Sequence, residues 1–316
     1  MNKCNMLTVL GLICVLCVPI FALSSRHISA DLSLVLSKRD YKLRQQIASR
    51  MPPTPFLSVY RKGAKTLVLL AANHVEKDTF PFIHYSFDAY HPQIALVERE
   101  PGTDLGPCFE MEAAYTAALA AKTYIPLVRA DADMEWQWKW IQQHGFSYED
   151  WQMLWILRNA YYGAVEGYTT SARQEIGVYQ KRDHHPAWGT LFTEAELLNY
   201  FQRHYHQDFN QTDFIQLHRD LHNLYATKEI RKTPYYRLTD ALDVVRGTFM
   251  LQNIEAALNQ YDVVFIEMGS GHYVDMYRAL QKMLGKPHYI AADQIPPQNL
   301  WQECSLEGLQ EKVLVQ

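Results

Sequence analysis

Tyr261-Asp-Val-Val-Phe-Ile-Glu-Met-Gly-Ser-Gly-His272 is the stretch that decides the fold. Its apolar run ending in Glu267 reads as a buried strand, and the glycines after it let the chain turn sharply into a helix predicted over 273–284. Three more segments repeat the pattern of a short apolar run closed by a polar residue. They are Thr66 to Ala71, Ile94-Ala-Leu-Val-Glu98 and Ile125-Pro-Leu-Val-Arg129. Phe56 to Tyr60, with a turn at Arg61-Lys-Gly63, forms a β-hairpin with the first of these. Lys286-Pro-His-Tyr-Ile-Ala-Ala292 is a fifth strand of the series, and helices are predicted at 80–90 and 111–121. Apolar strands alternating with helices specify an α/β fold, with a largely parallel central sheet flanked by helices and entered by an N-terminal β-hairpin.

Residues 134–245 break this rhythm. They hold few strand-like runs, most of the tryptophans and over half of the histidines. This stretch reads as a large helical insertion on a single α/β domain spanning 25–316. The tryptophans Trp136, Trp140, Trp151 and Trp155 have helical spacing in pairs, which favours core over cleft. His218 and His222 stand four residues apart on a predicted helix, a spacing that suits a metal chelate or a solvated face. His204, His206, His184 and His185 invite the same two readings.

The chain has 316 residues, 48% hydrophobic and 20% charged, which excludes wholesale disorder and fibrous repeats. Its net charge of −4 argues against nucleic acid as a partner. Lys3 precedes an apolar run from Met6 to Leu23 and small residues at Ala22 and Ser24, the pattern of a signal peptide over 1–24. The expectation is an exported protein, periplasmic or secreted, with a membrane association only if that segment stays uncleaved. Outside it, Cys108 and Cys304 are left, a pair that export would permit to form a disulfide. Oligomeric state leaves no mark in the sequence.

Ligands of open parallel sheets bind beyond the carboxyl ends of the strands. Four strand ends deliver Ala72-Asn73-His74, Glu98-Arg99-Glu100, Arg129 with Asp131 and Asp133, and Glu267 with Gly269-Ser-Gly-His272. Asp131 and Asp133 could ligate a metal, but as a post-strand pair they read first as solvated or as caps of the next helix. In the predicted helix around 243–254, Arg246, Met250 and Ile254 share one face, so Arg246 points inward and needs an anion or a carboxylate such as Glu98 or Glu267. Gly269-Ser-Gly-His272 is neither a dinucleotide fingerprint nor a nucleophile elbow, because Val274 and Met268 stand where those motifs need glycine.

Taken in order, these elements resemble the TraB/PrgY/GumN family and its Tiki relatives, within the group that includes erythromycin esterase and ChaN haem-binding lipoproteins. Gly269-Ser-Gly-His272 is similar to the second Gly-x-x-His element of that group. Ala71-Ala72-Asn73-His74 corresponds to the first, with Ala in place of Gly. Glu98 matches the strand-end Glu, and Arg246-Gly-Thr-Phe-Met250 the Arg helix, with Gly247 where an acidic residue or Asn is common. The resemblance implies an exported, metal-dependent, peptidase-like hydrolase. His74 and His272 would bind a divalent manganese, cobalt or zinc ion, and Glu98 would be a ligand or the base that activates water. Arg246 would steady an oxyanion, and Glu267 would orient a histidine. The substrate would be a peptide or a small ester. Two alternatives use the same side chains: a metal-free esterase-like hydrolase with His as general base, and a non-enzymatic haem- or metal-binding protein.

Overall fold

The structure, a computed structural model, describes residues 27–72, 77–98, 112–168, 171–182, 184–222 and 227–297. The leader, His74, Cys108 and Cys304 lie outside the described residues. The fold is α/β. Two 3₁₀ turns at Leu32–Leu34 and Lys38–Asp40 lead into α1 (Tyr41–Ala48). Then follow β1 (Phe56–Lys62), β2 (Lys65–Ala72), α2 (Phe80–Tyr90), β3 (Ile94–Val97), α3 (Glu112–Thr123) and β4 (Leu127–Arg129). The helical stretch contains α4 (Met134–Gln143), α5 (Tyr148–Val165), α6 (Ala172–Arg182), α7 (Glu194–Tyr205), α8 (Phe214–His222) and α9 (Pro234–Gln260). The chain closes with β5 (Val263–Gly269), α10 (Ser270–Leu284) and β6 (His288–Ile290).

The six strands lie in the order β4-β3-β5-β2-β1-β6. β2, β5, β3 and β4 are mutually parallel, while β1 runs antiparallel to both of its neighbours. β1 and β2 form the expected hairpin, with Phe56 opposite Ala71 and Lys62 opposite Lys65. Gly63 makes the turn at φ +61°, where a side chain would be strained.

The apolar runs are continuous because both faces of the sheet are covered. Leu67, Leu69, Ala71, Val264, Ile266 and Met268 point to one face and pack with α9 and α10. Val68, Leu70, Ala72, Ala95 and Phe265 point to the other and pack with α2 and α3. A third cluster belongs to the helical stretch, where Trp138 and Trp151 are buried with Leu154, Phe201 and Leu238. Trp136, Trp140 and Trp155 pack against it and remain partly exposed.

The boundary expected near residue 245 falls inside a helix. α9 is 27 residues long, about 40 Å at the α-helical rise. Its first half, through Tyr235, Leu238, Leu242 and Val245, packs in the tryptophan-rich cluster. Its second half, through Met250, Leu251, Ile254 and Leu258, packs on the sheet. One rigid rod thus joins the two hydrophobic bodies, and Arg246 sits where it passes from one to the other.

β5 begins and ends two residues later than the sequence pattern suggests. Tyr261 is still occupied as the C-cap of α9, its N–H donating to the carbonyl of Ala257. Glu267 is therefore inside the strand, opposite Leu70 and Val97, and Gly269 pairs with Ala72. Helix α10 starts at Ser270 with Gly269 as N-cap, which places His272 in its first turn. Among the described residues, no helix is long and apolar enough to cross a membrane.

Candidate active site

The carboxyl ends of β2, β3, β4 and β5 open onto a cavity of about 760 Å³. Ala72, Glu98, Arg129, Asp131 and the turn from Gly269 to His272 line its sheet side. The opposite side comes from α4, α5, α8 and the first half of α9, and Lys38, Arg44 and Asp275 also line it.

Glu98 stands directly after β3 with its side chain 5% exposed. Its Oε2 accepts the backbone N–H of Gly269 at 2.7 Å, and its Oε1 accepts Nη2 of Arg246 at 2.7 Å. The same guanidinium donates through Nε to Oδ2 of Asp131 at 2.7 Å. Asp131 is 6% exposed and also accepts the N–H of Ala132. His272 brings Nε2 to 3.5 Å from Oε1 of Glu98, while its Nδ1 is buried without a hydrogen-bond partner among the described residues. The result is a His–carboxylate–guanidinium–carboxylate chain built from a strand end, a post-strand turn, a long helix and a helix N-terminus.

The electrostatics follow from burial against pairing. Burial opposes the charge on Arg246, but Asp131 and Glu98 more than reverse it, so the guanidinium is held above its ordinary value. A second layer surrounds the chain. Asp243 lies 3.6 Å from Nζ of Lys38, and Asp275 lies 2.7 Å from Nε of Arg44. Burial pushes Asp243 up, yet Lys38, His272, Arg246 and Arg44 together bring it below the usual carboxylate range. Burial lifts the Asp275 carboxyl up to about 7, against the pull of Arg44. Burial likewise lowers the Lys38 ammonium, with Asp243 only partly restoring it.

Of the residues singled out from the sequence, Glu98, Arg246 and His272 meet at one point, and His74 lies outside the described residues. Glu267 is buried but does not line the cavity. Its carboxylate accepts the backbone N–H of Glu98 at 3.4 Å, so it supports the strand end and does not face a substrate. Asp131 corrects the expectation of a solvated or capping residue, whereas Asp133 does cap α4 by accepting the N–H of Trp136.

Sequence reading missed Asp243, Asp275, Lys38 and Arg44. Two of them carried a signal, since Asp243 is three residues before Arg246 and Asp275 three after His272, both on the same helix face as the residue already identified. Four of the other histidines are engaged separately. His184 bonds the Tyr148 hydroxyl at 2.7 Å, His185 stacks on Trp188, His204 packs on Tyr200, and His218 stacks on Tyr161. The side chain of His222 lies outside the described residues. Among the described residues, no group of three or more His, Cys, Asp or Glu side chains is placed to hold a metal ion. Compared with known proteins, the chain matches no family model, and no curated protein or solved structure is significantly similar to it.

Proposed function

We propose that the chain is an exported hydrolase of peptide or small ester substrates that activates water at His272 and Glu98. The observation that carries this reading is the 3.5 Å approach of His272 Nε2 to a carboxylate oxygen fixed by Gly269 N–H and Arg246, at the carboxyl edge of the sheet. A water in contact with both atoms gives its proton to Nε2 of His272, and its oxygen adds to the substrate carbonyl carbon. Glu98 orients that water and steadies the imidazolium that forms. Arg246 uses Nε and Nη2 on the two carboxylates. The donors of its other terminal nitrogen, which neither carboxylate engages, serve the oxyanion of the tetrahedral intermediate. The leaving group then takes the proton back from His272 as the carbonyl re-forms.

The resemblance to Tiki-like proteins implies a divalent metal instead, and the described donors fit one poorly. Glu98 Oε1 already accepts from a guanidinium at 2.7 Å and Oε2 from a backbone N–H, so a second cation on Oε1 would face Arg246 at close range. His272 Nδ1 also lacks the hydrogen-bonded carboxylate or carbonyl that typically orients a metal-bound histidine.

The test is hydrolysis of a panel of esters and N-blocked peptides by the wild type, His272→Gln and Glu98→Gln, each with and without a strong chelator. Rates at least about 100-fold lower in both variants, and unchanged by chelation in the wild type, are expected. Loss of wild-type activity on chelation, restored by manganese, cobalt or zinc, would return the site to metal chemistry. Full activity in His272→Gln would end the proposal.

A further inference from the structure

The cavity has a second wall that the proposed chemistry does not use. On α5, Trp155, Arg158 and Tyr162 recur at helical spacing and all line the cavity, with His218 of α8 and Tyr235 of α9 beside them. Five cations line the cavity, and four are already engaged. Lys38 is bonded to Thr239 at 2.8 Å and sits beside Asp243, and Arg44 is paired with Asp275. Arg129 donates to the carbonyl of Ala132 at 2.9 Å, and Arg246 spans Glu98 and Asp131. Arg158 differs. Its guanidinium lies over the Trp155 ring at 4.8 Å, and among the described residues no carboxylate or carbonyl receives its donors.

A guanidinium held over an indole by cation–π attraction need spend none of its five N–H donors on a hydrogen bond there, so they stay available. Its charge is felt by its neighbours, because burial and then Arg158 and Lys38 drive the His218 imidazole down to about 4. His218 is therefore neutral at physiological pH and adds a hydrogen-bonding ring without adding charge. Across the whole lining, the five basic side chains of Lys38, Arg44, Arg129, Arg158 and Arg246 face the four carboxyl groups of Glu98, Asp131, Asp243 and Asp275, and because burial lifts Asp275 to about 7 the lining is net positive at neutral pH. The chain as a whole carries −4, so this surplus is a local feature of the cavity.

We propose that Arg158 is the anchor for a carboxylate carried by the substrate at a distance from the bond that is cut. A planar fork matches a carboxylate in two parallel hydrogen bonds. The net positive lining favours an anion. A phosphate ester dianion would bring a second negative charge among four carboxylates. The substrate class narrows to hydrolysable acyl compounds with a free carboxylate, which includes peptides cut near their C-terminus. This narrowing rests on the hydrolase reading, whereas the anion subsite stands on the geometry alone.

Binding without turnover separates the two. Benzoate, benzamide and phenyl phosphate are titrated into the full chain and followed by saturation-transfer NMR, using the wild type, Arg158→Leu, Arg158→Lys and His272→Gln. The wild type is expected to bind benzoate about tenfold more tightly than benzamide, and phenyl phosphate no better than benzoate. Arg158→Leu should remove the preference, Arg158→Lys should restore part of it, and His272→Gln should leave it intact. Equal binding of benzoate and benzamide to the wild type, binding of neither, or a preference that survives Arg158→Leu would overturn the subsite. Markedly tighter phenyl phosphate would replace the carboxylate with a phosphoryl group. If His272→Gln hydrolyses normally while the benzoate preference holds, the hydrolase reading fails and the subsite remains.

Discussion

Arg246→Met tests the centre of the site. The substitution keeps a flexible apolar stem and removes the fork, leaving Glu98 and Asp131 5% and 6% exposed with no cation between them. At a charge separation of roughly 4 Å and an effective dielectric near 20, each guanidinium–carboxylate pair is worth about 4 kcal/mol before desolvation. Desolvation has consumed much of that already, so the relevant quantity is the cost of stranding buried anions, about 3–5 kcal/mol. Two features place the expectation at the lower end. Gly269 and Ala132 still donate backbone N–H groups to the two carboxylates, and the Arg246 side chain is 21% exposed, which lets water reach the gap. A loss of about 3 kcal/mol in unfolding free energy is expected from urea denaturation at neutral pH, with an unchanged slope. The triple variant Arg246→Met with Glu98→Gln and Asp131→Asn removes all three charges and should recover most of that loss, because neutral isosteres leave no stranded ion. A single variant that loses less than about 1 kcal/mol, or a triple variant no more stable than the single, would refute the reasoning.

Two further outcomes concern the helical side. The folded His218 titrates near 4 against an ordinary 6.5, so the native state prefers the neutral ring. Its contribution is fully present above pH 6.5 and is lost as pH falls toward 4. With the half-exposed environment discounted, the wild type should lose about 1–2 kcal/mol more than His218→Gln between those limits. Matching pH profiles for the two proteins would count against it. Gly189→Ala places a methyl group into the ring of Tyr148 at a backbone φ of +159°. Tyr148 also holds His184 and Tyr179 by hydrogen bonds, so it cannot simply turn away. A cost of about 1–3 kcal/mol is expected as a lowered melting temperature, and an unchanged value would show that the ring gives way freely.

What was legible in the sequence was local. The apolar runs of β2, β3 and β5 announce strands buried on both faces, and the residue closing each run must lie at the sheet edge, which is how Glu98 and His272 are found. Arg246 follows from its spacing to Met250 and Ile254. Asp131 was not legible, since a carboxylate in a post-strand turn is normally solvated. Only a guanidinium arriving from 115 residues later makes burial affordable. Lys38 and Arg44 left no trace either, because nothing in a charged N-terminal segment says that it returns to the site. The tryptophans divide according to depth. Trp151 is core, as helical spacing suggests, while Trp155 at the next turn reaches the cavity. Spacing gives the face of a helix but not how far along that face the core extends.

The N-terminal segment shows why the site cannot be assigned to the sheet alone. Asn259 exchanges two hydrogen bonds with the backbone of Ile28, Glu255 accepts the N–H of Ala30, and Asp240 accepts that of Lys38. The N–H of Leu36 donates to the carbonyl of Asp275. Residues 28–38 are thus laced along α9 and onto α10, the two helices that carry Arg246 and His272. Lys38 and Arg44 then pair with Asp243 and Asp275, one turn from those same residues. Charged side chains around the chemical centre are fixed by elements other than their own: Arg246 by the turns after β3 and β4, Glu98 by the N-cap of α10, Asp243 by Lys38 ahead of α1 and Asp275 by Arg44 within α1. Such cross-support preorganises charges that would otherwise be costly to bury.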